Sequence, residues 1–220
     1  MTFWKKMNVP NKLTILRIAL VPAIIAAMLI QSPFHFTVAG LLFGAAAITD
    51  AFDGKIARRD NLITDFGKFA DPLADKILVI SVLVCFVKLG LCGAIPLIII
   101  IFREFTVTSI RLVAAAKGKV IAANMWGKVK TVCQIIAIVA VFVFMTAMDI
   151  VSLIVGGRVI PITEYTTVAA LCGDTCHYVL YDVFNILNIV GQSLLWITAV
   201  ITVISGVKYL VDNKEVISDM

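Results

Sequence analysis

The stretch TDAFDGKIARRDNLITDFGKFADPLADK, residues 49–76, decides how this chain folds. Asp50 and Asp53 close one apolar run, and Asp71 and Asp75 open the next. Spacings of three and four residues put each pair on one helix face, so two neighbouring helices would aim four carboxylates at one point. The bland alternative is a solvated interfacial cluster with i,i+4 pairs. Four aspartates inside a hydrophobic protein weigh against it, because charge at membrane depth is costly and by default marks a functional site.

Working outward, the rest of the chain supports a membrane setting. Of its 220 residues 61% are hydrophobic and only 15% charged, and mean hydropathy is +1.03. Most of the length lies in apolar runs of about 18 residues or more, as spanning helices require. The predicted fold is therefore all-α, a polytopic membrane protein. Of the 19 Lys and Arg, only Lys88 and Arg158 fall in the connections read as outer. The others gather near the N-terminus, around residues 50–75, around 111–130, and at Lys208 and Lys214. The positive-inside rule makes those clusters cytoplasmic. Nucleic acid is not an expected partner, since no soluble basic domain exists to hold it.

Six spans are expected, at about 13–30, 36–58, 72–89, 95–116, 129–148 and 186–210, with both termini cytoplasmic. Residues 2–8, TFWKKMN, mix aromatics with lysines as an interfacial amphipathic segment would. The first apolar run has no small-residue cleavage site and is read as a retained helix. Gly40 and Gly44 form a GxxxG pair, for which simple packing is preferred to a dimer seam. Gly90 and Gly93 mark an outer turn. Residues 149–185 read as an extended outer loop within a single domain over 1–220, and LIVGGRVI (153–160) suggests a small hairpin there. The cysteines show no zinc or haem spacing; Cys172 and Cys176 would pair only in an oxidising compartment, and isolated thiols are the preferred reading.

Without any family, four carboxylates near the inner leaflet suggest a site for divalent cations with oxygen ligands, magnesium or manganese. No histidine stands near them, which argues against zinc. Gly54 and Gly67 would let a bulky ligand press against helix backbone. Arg58, on nearly the face of Asp50 and Gly54, suits a phosphate.

The pattern Asp50-x2-Asp53-Gly54-x2-Ala57-Arg58-x8-Gly67-x3-Asp71-x3-Asp75 resembles the signature of the CDP-alcohol phosphatidyltransferases, with every fixed position filled. PNKLTILR near the start, REFTVTSIRLVAA (103–115) and GKVKT (127–131) look like the bacterial branch that makes phosphatidylglycerophosphate. The resemblance implies an enzyme that transfers a phosphatidyl group from CDP-diacylglycerol to an alcohol and releases CMP. It implies two divalent ions, Mg2+ or Mn2+, on Asp50, Asp53, Asp71 and Asp75, with Asp75 also the catalytic general base. It puts Asn11, Thr14, Asp53, Gly54, Ala57, Arg58 and Gly67 at the cytidine nucleotide. In this branch the acceptor is glycerol 3-phosphate, and Arg103, Arg111, Lys128 and Lys130 are the candidates for its phosphate. Each of these four has a plainer reading as a cytoplasmic anchor or an intramembrane ion pair, Arg103 beside Glu104 above all. A homodimer, membrane lipid as a partner, and a multi-pass place in the bacterial cytoplasmic membrane with the site facing the cytoplasm follow from the same resemblance.

Three rivals remain at this stage. Another acceptor, phosphatidylglycerol, serine or an inositol phosphate, would give a different lipid. A divalent-cation transporter would carry acidic residues along several spans, whereas these gather at one depth. A lipid-binding scaffold with a dead site is disfavoured because no catalytic position is missing.

Overall fold

The structure is a computed structural model that describes residues 9–30, 32, 34–59, 65–117, 125–156 and 175–214. The side chains of Val9, Pro10, Ala116, and residues 50–69, 155–156 and 175–180 fall outside that description. Six helices make up the described chain: α1 Val9–Leu29, α2 His35–Arg59, α3 Asp65–Lys88, α4 Ala94–Ala116, α5 Met125–Gly156 and α6 Thr175–Asp212. There is no strand among the described residues. Asn11–Leu29, Met125–Ile154 and Tyr181–Asp212 are each long and apolar enough to cross a membrane. α2, α3 and α4 carry the charged residues of the motifs within their length. Large apolar side chains such as Leu41, Phe102 and Ile154 stand outward, more than two thirds exposed (71%, 72% and 77%). Large apolar side chains exposed in this way fit lipid rather than water. The protein is a multi-pass, all-helical membrane protein.

Three sequence expectations change at the helix ends. The third span, expected from about residue 72, belongs to a helix that already begins at Asp65, seven residues before Pro72. Leu153 to Gly156, expected as the first arm of a hairpin, are instead the last turn of α5. Where water is scarce a helix satisfies its own backbone groups, and that outweighs the β propensity of Ile and Val. α6 likewise starts at Thr175, so both ends of the segment 149–185 are helical. The second arm of the expected hairpin, the interfacial segment 2–8 and Cys172 lie outside the described residues.

The chain forms two compact units. The first contains α1, α2, α3 as far as Cys85, the second half of α5 from Phe142, and the start of α6 to Phe184. Here α1 packs along α2. α2 runs antiparallel to α5, because partners shift in opposite directions along the two helices. Thr37 donates to Thr146 at 3.1 Å, and the rings of Phe43 and Phe142 stack at 5.8 Å. A Cβ on Gly40 would stand 3.2 Å from the Phe142 Cβ, so this glycine permits a close helix–helix approach within the unit. Gly44 has nothing within 4 Å of such an atom.

The second unit runs from Phe86 to Val141 and from Asn185 onward. α3 ends in a left-handed turn at Gly90 (φ 74°), with Leu91 N–H donating to Phe86 O at 2.9 Å. This is the usual glycine stop for a helix, since a Cβ would oppose that φ. Cys92 follows in the turn between α3 and α4, where burial pushes its thiol up to about 11. Cys92 and Cys133 form no disulfide among the described residues.

Candidate active site

The first unit shows why α1 begins polar and ends apolar. Its buried face is Asn11, Thr14 and Arg17, then Val21, Ile24 and Met28, a spacing of three and four that traces one helical stripe. The apolar half contributes to the core. The polar half meets α3. Thr14 Oγ1 donates to Asp71 Oδ1 at 2.5 Å. Arg17 Nη1 donates to Asp75 Oδ1 at 2.7 Å. The partner numbers rise together, so α1 and α3 run parallel, with three residues on α1 spanning four on α3. Ala70 and Ala74, which precede the two aspartates on α3, are buried.

Asp71 and Asp75 thus share one face of α3, as their spacing predicts. Arg17 is almost wholly buried at 1% exposure, whereas Asp75 is 49% exposed. The pair therefore has a fixed inner partner and an accessible outer one. Burying a guanidinium is costly unless it is paired, which is the structural reason the two go together. Asp50 and Asp53 stand near the C-terminal end of α2, but their side chains lie outside the described residues. The same holds for the side chains of Gly54, Ala57, Arg58 and Gly67, all on helical backbone. Thr14, expected at the nucleotide, touches Asp71, and Arg17 was given no role by sequence reasoning. The signals for Arg17 are its place at the end of PNKLTILR and a lone charge three residues after Thr14 within an apolar run.

The second unit assembles part of the other cation set. Glu104 Oε1 accepts from Arg103 Nη1 at 2.9 Å and from Lys130 Nζ at 2.8 Å. Arg103 Nη2 donates to Ser205 Oγ at 2.8 Å. Arg103, Glu104 and Lys130 are largely buried. Gly206 makes room for the Arg103 side chain: a Cβ there would stand 3.0 Å from Arg103 Cγ. Arg111 is not part of this cluster's bonding; its guanidinium lies 5.4 Å from the Tyr209 ring centroid, at cation–π distance. Lys128 is exposed.

Residues 7–204 match the family model for CDP-alcohol phosphatidyltransferase. The chain belongs to the CDP-alcohol phosphatidyltransferase family. It is 36% identical over 208 residues to a Rickettsia bellii protein named CDP-diacylglycerol–glycerol-3-phosphate 3-phosphatidyltransferase, covering 94% of this chain and 96% of that one. A Bacillus subtilis protein of the same name is 45% identical over 157 residues, 66% of this chain and 81% of its own length. A Mycobacterium tuberculosis protein, named a probable phosphatidylglycerophosphate synthase, is 40% identical over 137 residues, 60% of this chain and 64% of its own.

CDP-alcohol phosphatidyltransferases in general depend on divalent metal ions. The donors on α3 fit such an ion. They are carboxylate oxygens one turn apart, hard ligands of the kind magnesium and manganese prefer. One of the two is half exposed, so an ion has access. No cluster of three or more metal-ligating side chains occurs among the described residues, a set that excludes the Asp50 and Asp53 carboxylates.

Proposed function

We propose that this phosphatidyltransferase moves the phosphatidyl group of CDP-diacylglycerol onto sn-glycerol 3-phosphate, giving phosphatidylglycerophosphate and CMP. The observation that carries the reading is the Asp71–Asp75 face of α3, braced by α1, inside a full signature. The names of relatives that align over nearly the whole chain support the choice of acceptor. The whole chain acts as one catalytic domain in this reading, in the bacterial cytoplasmic membrane with its chemistry on the cytoplasmic side. It works as a pair of identical chains.

Asp50, Asp53, Asp71 and Asp75 would hold two ions, Mg2+ or Mn2+. When bound, such ions neutralise a pyrophosphate and stabilise the attacking and leaving oxygens of an in-line displacement. Gly54, Ala57, Arg58, Gly67, Asp53 and Asn11 line the cytidine nucleotide, and Thr14 contributes through Asp71. Arg103, Arg111, Lys128 and Lys130 bind the acceptor phosphate. Of these, Arg103 and Lys130 are pre-set by Glu104, so little side-chain freedom remains to be lost when an anion arrives. Asp75 takes the proton of the acceptor hydroxyl, whose oxygen forms a bond to the lipid-side phosphorus. The bond from that phosphorus to the CMP oxygen breaks, and CMP departs. The acyl chains stay in the bilayer throughout.

A panel of acceptors tests the choice. Protein in detergent, supplied with CDP-diacylglycerol and Mg2+ or Mn2+, is expected to release CMP with glycerol 3-phosphate at least tenfold faster than with phosphatidylglycerol, serine or inositol phosphate. Equal turnover with any of these would reject the acceptor. Divalent-ion flux into proteoliposomes with no CMP formed would reject the enzyme reading in favour of transport.

A further inference from the structure

We infer that α1 sets the geometry of the metal-binding carboxylates, with Arg17 the positioning residue for Asp75 and Thr14 that for Asp71. This rests on the proposed metal site. Two neighbouring positions on one face of α1 engage the two aspartates of α3 in parallel register, at 2.5 and 2.7 Å. A counter-ion serving stability alone would have no reason to be matched, one turn away, by a hydroxyl on the other aspartate.

The burial pattern gives the direction of control. Arg17 and Thr14 are 1% and 0% exposed, whereas Asp75 keeps about half its surface open. The buried partners are therefore the fixed ones, and the carboxylates are oriented from behind. An aspartate has two soft torsions, and an ion demands its oxygens in a narrow set of places. A guanidinium held rigidly against Oδ1 fixes the carboxylate plane in a way a mobile ammonium does not. Arg17 also offsets negative charge on α3, easing the approach of further aspartates. Outer-sphere partners of this kind alter metal affinity by about 10–100-fold when removed.

Mn2+ binding without substrate, followed by the EPR signal of the free ion, reads this directly. Relative to wild type, Arg17→Met and Thr14→Val are each expected to weaken Mn2+ binding by about 10–100-fold. Arg17→Lys should fall in between, because it keeps the charge and loses the fork. Should Arg17→Met fail to fold, Arg17→Lys and Thr14→Val carry the test. Arg17→Lys and Thr14→Val that bind Mn2+ as tightly as wild type would overturn the inference while leaving the metal site intact. Wild-type protein that binds no Mn2+ would overturn the metal site and the inference with it. Asp75→Asn, which removes a ligand outright, distinguishes the two results: it weakens binding wherever the metal site is correct.

Discussion

Asp75→Asn is expected to lower CMP release from CDP-diacylglycerol and glycerol 3-phosphate by about a thousandfold or more, with nucleotide binding retained. A positioned general base contributes about 10²–10⁴-fold, and the same side chain is proposed as a metal ligand. Asparagine keeps the size of aspartate and still offers Oδ1 to the Arg17 guanidinium that now lies 2.7 Å away. The variant should therefore fold, and its defect should be one of turnover. Incorporation of labelled glycerol 3-phosphate into lipid, beside CDP binding by the purified variant, measures both halves. A variant keeping a tenth or more of wild-type activity would remove Asp75 from its role as base.

Glu104→Gln should produce the largest loss of stability. Its carboxylate is the shared acceptor for Arg103 and Lys130, and Lys130 is only 4% exposed. Removing the anion takes away the acceptor that Arg103 and Lys130 share in a weakly screened interior. Breaking a buried pair from one side typically costs about 3–5 kcal/mol. The unfolding temperature in detergent should fall well below wild type. Glu104→Gln combined with Lys130→Gln should recover part of that loss, because removing both partners of a buried pair costs less than stranding one. An unfolding temperature unchanged in the single variant would show that the pair does not hold the second unit together.

The aspartates were legible because their constraint is local. Asp71 and Asp75 need only the helical period to share a face, and a carboxylate inside an apolar run has few innocent explanations. Arg17 was not legible because its meaning depends on a partner 58 residues away. In isolation it reads as one more cationic anchor near a membrane surface. Thr14 was placed near the ligand from the family pattern, but its contact with Asp71 arises from the parallel packing of α1 on α3, which no local rule supplies. Glu104 shows the same limit. Its neighbour Arg103 was an obvious partner, whereas Lys130 reaches the same oxygen from another helix 26 positions on. The helix ends failed for a different reason. Leu153 to Val155 have the composition of a strand, and only the surrounding bilayer, by penalising unpaired backbone, makes them helix.

The decisive measurement is the anomalous diffraction of crystals grown with Mn2+. Two manganese peaks are expected, enclosed by Asp50 and Asp53 of α2 together with Asp71 and Asp75 of α3. Peaks that engage one aspartate pair while the other points elsewhere, or no peak at α3 at all, would contradict the shared carboxylate site on which the proposed chemistry stands.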